Sequence, residues 1–107
     1  MLIVQSGYEC EYEMRLFAKL FFDENDDVEI FSYLSYENKQ INVYTQINYA
    51  GEAYFYDHRF DFDRENSSAQ MCKKIFTASC TRSFIHAAKQ IVDITYPWGV
   101  MCGIRPA

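Results

Sequence analysis

At 107 residues the chain has the length of one domain, enough to bury a single core. Half of its residues are apolar and 18% are aromatic, nine Tyr and nine Phe among them, which excludes a disordered polymer. The formal net charge of −5 lacks the dense positive charge that non-specific nucleic-acid binding requires, so no nucleic-acid partner is expected.

The charge is divided unevenly. Residues 1–63 hold thirteen acids and four bases, whereas residues 64–107 hold two acids and six bases. An acidic sheet side and a basic helix side within one fold account for this. The alternative is a basic helix that meets an acidic partner or a neighbouring domain.

Leu2-Ile3-Val4 predicts a first strand, punctuated by Gly7. Cys10, Met14, Phe17 and Phe21 then recur at helical spacing with Leu16 and Leu20 beside them, predicting an amphipathic helix of about three to four turns. The acidic run Asp23-Glu24-Asn25-Asp26-Asp27 ends it. A strand from Val28 to Tyr36 sets Val28, Ile30, Ser32 and Leu34 against Phe31 and Tyr33. After a turn at Glu37-Asn38-Lys39, Ile41, Val43, Thr45, Ile47 and Tyr49 alternate with Asn42, Gln46 and Asn48, the cleanest period of two in the chain. Tyr44 is the aromatic on that polar side. Ala50-Gly51-Glu52 turns into a third strand of the meander, with Tyr54, Tyr56, His58, Phe60 and Phe62 opposed to Phe55, Asp57, Arg59 and Asp61.

A long helix is predicted from Glu65 to Ile91, with Asp63, Asn66 and Ser67 as candidate caps. Cys72, Phe76, Ser79, Cys80, Ser83, Ala87 and Ile91 form its stripe, and Arg64, Arg82 and Lys89 fall opposite. Phe84, Ile85, Ala88 and Val92 widen the apolar surface, for contact with the first helix or with a further partner. Pro97 bars continuation. The order β-α-β-β-β-α predicts an α+β fold of two layers, a mostly antiparallel sheet with helices packed on one face. The accessory domain is placed at residues 1–95, with the start of a junction at 96–107.

Four cysteines, Cys10, Cys72, Cys80 and Cys102, lack the close pairs that structural zinc and iron–sulfur clusters use. Cys72 and Cys80 would stand two turns apart on one helix, about 12 Å in rise, which makes shared chelation awkward. No signal peptide is expected before the first acids, and no apolar run approaches the roughly 18 residues of a membrane span. A cytoplasmic setting follows, in which most of the thiols read as small buried apolar groups. Neither His58 nor His86 has a sequence-near nucleophile or proton partner. The acidic run lacks the central Gly of a calcium loop. No Gly-rich phosphate cradle is present. Phe31, Tyr33, Tyr44 and Phe55 suggest an aromatic outer sheet face for protein contact, or else packing against the first helix. No catalytic, cofactor-binding or metal residue is assigned.

The last residues carry the most specific pattern. Pro97-Trp98-Gly99-Val100-Met101-Cys102-Gly103-Ile104-Arg105-Pro106 resembles the P-W-G-x-L-x-G-x-R-P segment of radical-SAM oxygen-independent coproporphyrinogen III oxidase-like proteins of the HemZ type, found in Firmicutes. The match lies on Pro97, Trp98, Gly99, Gly103, Arg105 and Pro106; Met101 stands where Leu is usual, and Cys102 where Thr is frequent. In that family the segment follows an α+β domain and precedes a helical stretch and the radical-SAM barrel. The resemblance therefore implies a non-catalytic accessory domain attached to an oxidoreductase of porphyrin and heme biosynthesis. Its [4Fe-4S] cluster and S-adenosylmethionine would belong to the downstream domain, because no three cysteines here fit C-x₃-C-x₂-C. The six matched residues would then be domain-junction contacts, and the radical-SAM domain the partner. A stand-alone interaction module, dimeric through the aromatic sheet or the long helix, is the alternative.

Overall fold

The computed structural model describes residues 1–91. The β-branched run near the amino end forms β1, Leu2–Ser6. Gly7, at φ +87°, then turns the chain beneath the next strand. The helix that follows, α1, spans Glu11–Ala18. Glu11 and Glu13 in its first turn complement the helix dipole, and Met14 and Ala18 turn into the core.

This helix is shorter than the predicted three to four turns. Beyond Ala18 the Leu20 N–H donates to the Phe17 carbonyl and the Phe21 N–H to the Ala18 carbonyl, each at 3.0 Å. Such i→i−3 bonds tighten the coil. Leu20 is left exposed, whereas Phe22 is buried against the Tyr49 ring at 5.3 Å.

The three-stranded meander has the predicted alternation. Its strands are β2 at Val28–Glu37, β3 at Gln40–Tyr49 and β4 at Glu52–Asp61. Two-residue turns close both hairpins. Asn38 and Lys39 have φ of 52° and 58° between paired Glu37 and Gln40; Ala50 and Gly51 have 55° and 83° between paired Tyr49 and Glu52. Positive φ at both central positions matches the right-handed twist of the flanking strands. The sheet order is β1-β2-β3-β4, with β1 parallel to β2 and the other pairs antiparallel.

The second helix, α2, spans Ala69–Ile91 and begins later than Glu65. Arg64–Asn66 instead form one 3₁₀ turn, in which the Asp63 carboxylate accepts from the Asn66 N–H. Ser67 is extended at φ −121°, ψ 148°, so the coil breaks there and restarts. Ser68, not one of the three candidate caps, receives the Met71 N–H on its hydroxyl at 3.1 Å. Arg64 is therefore not part of α2. Its guanidinium lies over Tyr36 and Phe76, 5.8 and 5.6 Å from the ring centroids.

Both helices cover one face of the sheet, as predicted. Ile30, Ile41 and Ile47 from the sheet meet Met14 of α1 and Cys80 and Phe84 of α2, all fully buried. Each large apolar side chain so placed contributes ~1.5–3 kcal/mol relative to exposure. The wide apolar end of α2 is met by the α1 segment, where the Phe21 and Phe84 rings stand edge to face at 5.8 Å. No helix among the described residues is long and apolar enough to cross a membrane.

Candidate functional site

The sheet has one covered face and one bare face, and alternation decides which side chains the bare face carries. Phe31, Tyr33, Tyr44 and Phe55 all point there. They do not pack on α1, so that alternative is corrected: α1 lies across the other face, where the even register of β2 sends Val28, Ile30, Ser32 and Leu34. Tyr33 and Phe55 are 45% and 51% exposed, far more than aromatic rings in a core. The Tyr33 and Tyr44 rings stack at 5.9 Å, and Tyr44 stands 6.1 Å from Phe55. The result is an aromatic band running across β2, β3 and β4.

Polar groups along β3 hold this band in place. The Tyr44 hydroxyl donates to Gln46 Oε1 at 3.0 Å, Gln46 Nε2 to Asn48 Oδ1 at 2.9 Å, and Asn48 Nδ2 to Glu29 Oε1 at 3.1 Å. Arg59 Nε donates to Asn42 Oδ1 at 2.6 Å. Desolvation, then Tyr33 and Asp57, raise the Tyr44 phenol above its ordinary value, so it remains a neutral donor at physiological pH. Glu29, Glu37, Asp57 and Asp61 against Arg59 give the bare face an acidic balance.

A cleft of about 320 Å³ lies on the other side, between β4 and α2. Tyr56, His58, Phe60 and Arg82 line it. The two histidines, remote in sequence, meet the same Tyr56 ring: His86 stacks on it at 4.5 Å and His58 lies 6.4 Å away. Burial, then Lys89, Arg82 and His58, holds the His86 pKa below its usual value. This region brings together aromatic walls and cationic groups, and among the described residues no nucleophile is hydrogen-bonded to either imidazole.

A third group is buried between the layers. Gln5, Ser32, Thr45 and Tyr56 are neighbours across all four strands. Thr45 Oγ1 donates to Ser83 Oγ at 2.8 Å. Gln5 grips Cys10 twice: Oε1 accepts the Cys10 N–H at 2.9 Å and Nε2 donates to the sulfur at 3.4 Å. Cys80, fully buried, belongs to the same core cluster as Cys10. The neighbouring Cys80 thiol, against burial, and the Gln5 amide lower the Cys10 pKa, whereas Cys10 and burial raise that of Cys80. Cys10 and Cys80 are small buried groups of the core, as expected for most of the thiols. Cys72 is only half-buried, and its thiol faces the Arg64 carbonyl at 3.7 Å.

The candidate junction residues Pro97, Trp98, Gly99, Gly103, Arg105 and Pro106 lie outside the described residues. Among the described residues no three His, Cys, Asp or Glu side chains converge as an ion site.

No protein-family description matches the chain, and no curated protein matches it. Among solved structures it is similar to the Thermus thermophilus Protein Y N-terminal domain, at 15% identity and a TM-score of 0.54. The alignment covers 85% of this chain and 96% of that one. At this identity the likeness is one of fold.

Proposed function

We propose that residues 1–95 form a non-catalytic accessory domain that docks on a catalytic neighbour through the bare aromatic face of its sheet. The neighbour is a radical-SAM domain of the coproporphyrinogen III oxidase-like kind, the reading that the tail segment Pro97–Pro106 supports. The observation that carries the docking role is the stacked band of Tyr33, Tyr44 and Phe55, half open to solvent yet fixed by hydrogen bonds along β3. Rigid aromatics of this kind offer large contact area at small entropic cost. The end of α2 is tied to the edge of β4, where Gln90 Nε2 donates to the Phe55 carbonyl at 2.6 Å. Cluster and sulfonium cofactor would be held by the neighbour. The free thiols of Cys10, Cys72 and Cys80 suit a cytoplasmic setting.

Reading the coding sequence beyond codon 107 tests the neighbour's identity. A downstream C-x₃-C-x₂-C is expected, and its absence would overturn the radical-SAM reading. Titration of the 107-residue chain into the separately expressed downstream region tests the face. Phe55→Ala and Tyr33→Ala should each weaken binding by roughly tenfold or more, as buried interface aromatics do. Unchanged affinity in both variants rejects the docking face. Concentration-dependent self-association that Phe55→Ala abolishes, without binding downstream, favours the stand-alone dimer instead.

A further inference from the structure

The cleft between β4 and α2 has a shape and a charge that the docking role does not use. It lies on the covered side of the sheet, away from the band of Tyr33, Tyr44 and Phe55. Its origin is a mismatch in side-chain size. β4 sends Tyr56, His58 and Phe60 toward α2, and α2 answers with Ala78, Ser79 and Ser83. Small residues opposite large rings leave about 320 Å³, within the ~300–1,000 Å³ range of small-molecule sites. Val43 on β3 is 2% exposed, yet its partner His58 on the edge strand is open and Tyr56 and Phe60 are only half-buried. Hydrogen bonds hold the two walls together. Ser83 Oγ accepts from Thr45 at 2.8 Å and donates to the Tyr56 carbonyl at 3.4 Å, and Gln90 Nε2 holds the Phe55 carbonyl at 2.6 Å. Ser79 Oγ donates to the Ile75 carbonyl at 2.7 Å. The buried hydroxyls of the floor are thus satisfied, which leaves polar recognition to the groups at the rim.

Those rim groups are a guanidinium and two imidazoles. Arg82 and His58 line the opening, and His86, one turn beyond Arg82 on the same face of α2, stacks on Tyr56 at 4.5 Å. No carboxylate lines the cleft, because alternation along β4 sends Asp57 and Asp61 to the bare face. Among the described residues no acid stands within ion-pair distance of Arg82, His58 or His86. In a chain of net charge −5, an aromatic cleft with this guanidinium at its mouth is complementary to an anion.

We propose that this cleft binds a small aromatic carboxylate, a flat body of one or two rings bearing a single carboxylate group. The body lies against Tyr56, His58 and Phe60, where ring–ring contact adds to area burial. The carboxylate takes the guanidinium fork of Arg82 in two parallel hydrogen bonds, and the His58 imidazole offers a further donor.

NMR titration of the 107-residue chain with naphthylacetate, beside its neutral counterpart naphthylacetamide, is the test. Saturable shifts should appear at the amides of residues 56–60 and 78–86 and at Arg82 Nε–H, with a Kd of about 1 mM or tighter. The amide should bind roughly tenfold more weakly, as should the carboxylate to Arg82→Gln. Arg82 is exposed, so its replacement leaves the fold intact. Ala78→Leu, an exposed position whose larger side chain fills the gap, should abolish saturation, whereas Lys74→Gln, a base of α2 outside the cleft, should change nothing. Should Ala78→Leu fail to fold, Arg82→Gln and the neutral counterpart decide. No saturation by about 10 mM, equal affinity for acid and amide, or shifts centred on Tyr33, Tyr44 and Phe55 would overturn the assignment.

Discussion

Two glycines with nearly the same backbone angle carry different burdens. Gly7 and Gly51 have φ of +87° and +83°. A Cβ on Gly7 would sit 1.8 Å from the Leu34 carbonyl oxygen, whereas one on Gly51 meets nothing within 4 Å. The hairpin turn needs only the left-handed angle, which costs a non-glycine residue about 1–2 kcal/mol. The β1–α1 turn needs that angle and the missing side chain as well, since backbone cannot step aside as a flexible side chain does. Urea melts should therefore show Gly51→Ala losing about 1 kcal/mol and Gly7→Ala about 3 kcal/mol or more. Equal losses would mean that the close approach to Leu34 is relieved at little cost.

Helix ends and hairpins differ in how openly the sequence declares them. The two turns of the meander are written in adjacent residues, and the alternation of Ile41, Val43, Thr45 and Ile47 sets which side is buried, so β2 to β4 were legible. The start of α2 was not. Asp63, Asn66, Ser67 and Ser68 all offer a capping oxygen, and the choice falls on Ser68 only once the Asp63 side chain is engaged with Asn66. That engagement depends on the anchoring of the preceding loop by Tyr36, whose hydroxyl donates to the Phe62 carbonyl at 2.9 Å and accepts the Arg64 N–H at 3.1 Å. Ser68→Ala should cost about 1 kcal/mol in a urea melt, while Ser67→Ala should leave the α2 cap intact and cost less. Equal losses for the two would reassign the cap.

For the molecule as a whole, two layers and six elements followed from periodicity, but the partners across layers did not. Nothing local in Gln5, Cys10 or Ser32 says that they meet; the parallel entry of β1 beside β2 puts Gln5 opposite Ser32, and the turn into α1 brings Cys10 back onto the Gln5 amide. The same holds for His58 and His86, which the fold seats on one tyrosine. This last arrangement shapes the acid response. Because the folded His86 pKa lies below its unfolded value near 6.5, the unfolded chain takes up its proton first as pH falls. The related stability is present above about pH 6.5 and is lost as pH drops through the lower folded value. His86→Gln should flatten that part of the stability–pH curve measured by urea denaturation between neutral and mildly acidic pH, and an unchanged slope would exclude His86 as its source.

The parallel placement of β1 has a consequence for assembly in time. β2, β3 and β4 are joined by two-residue links and can zip within microseconds of local search. β1 must wait, because its ladder with β2 closes only after the intervening helix has folded back, and such non-local closure is slow. On the ribosome, the stretch translated ahead of all the other strands is thus the one that settles after them. Until it does, the flank of β2 that it will cover stands open.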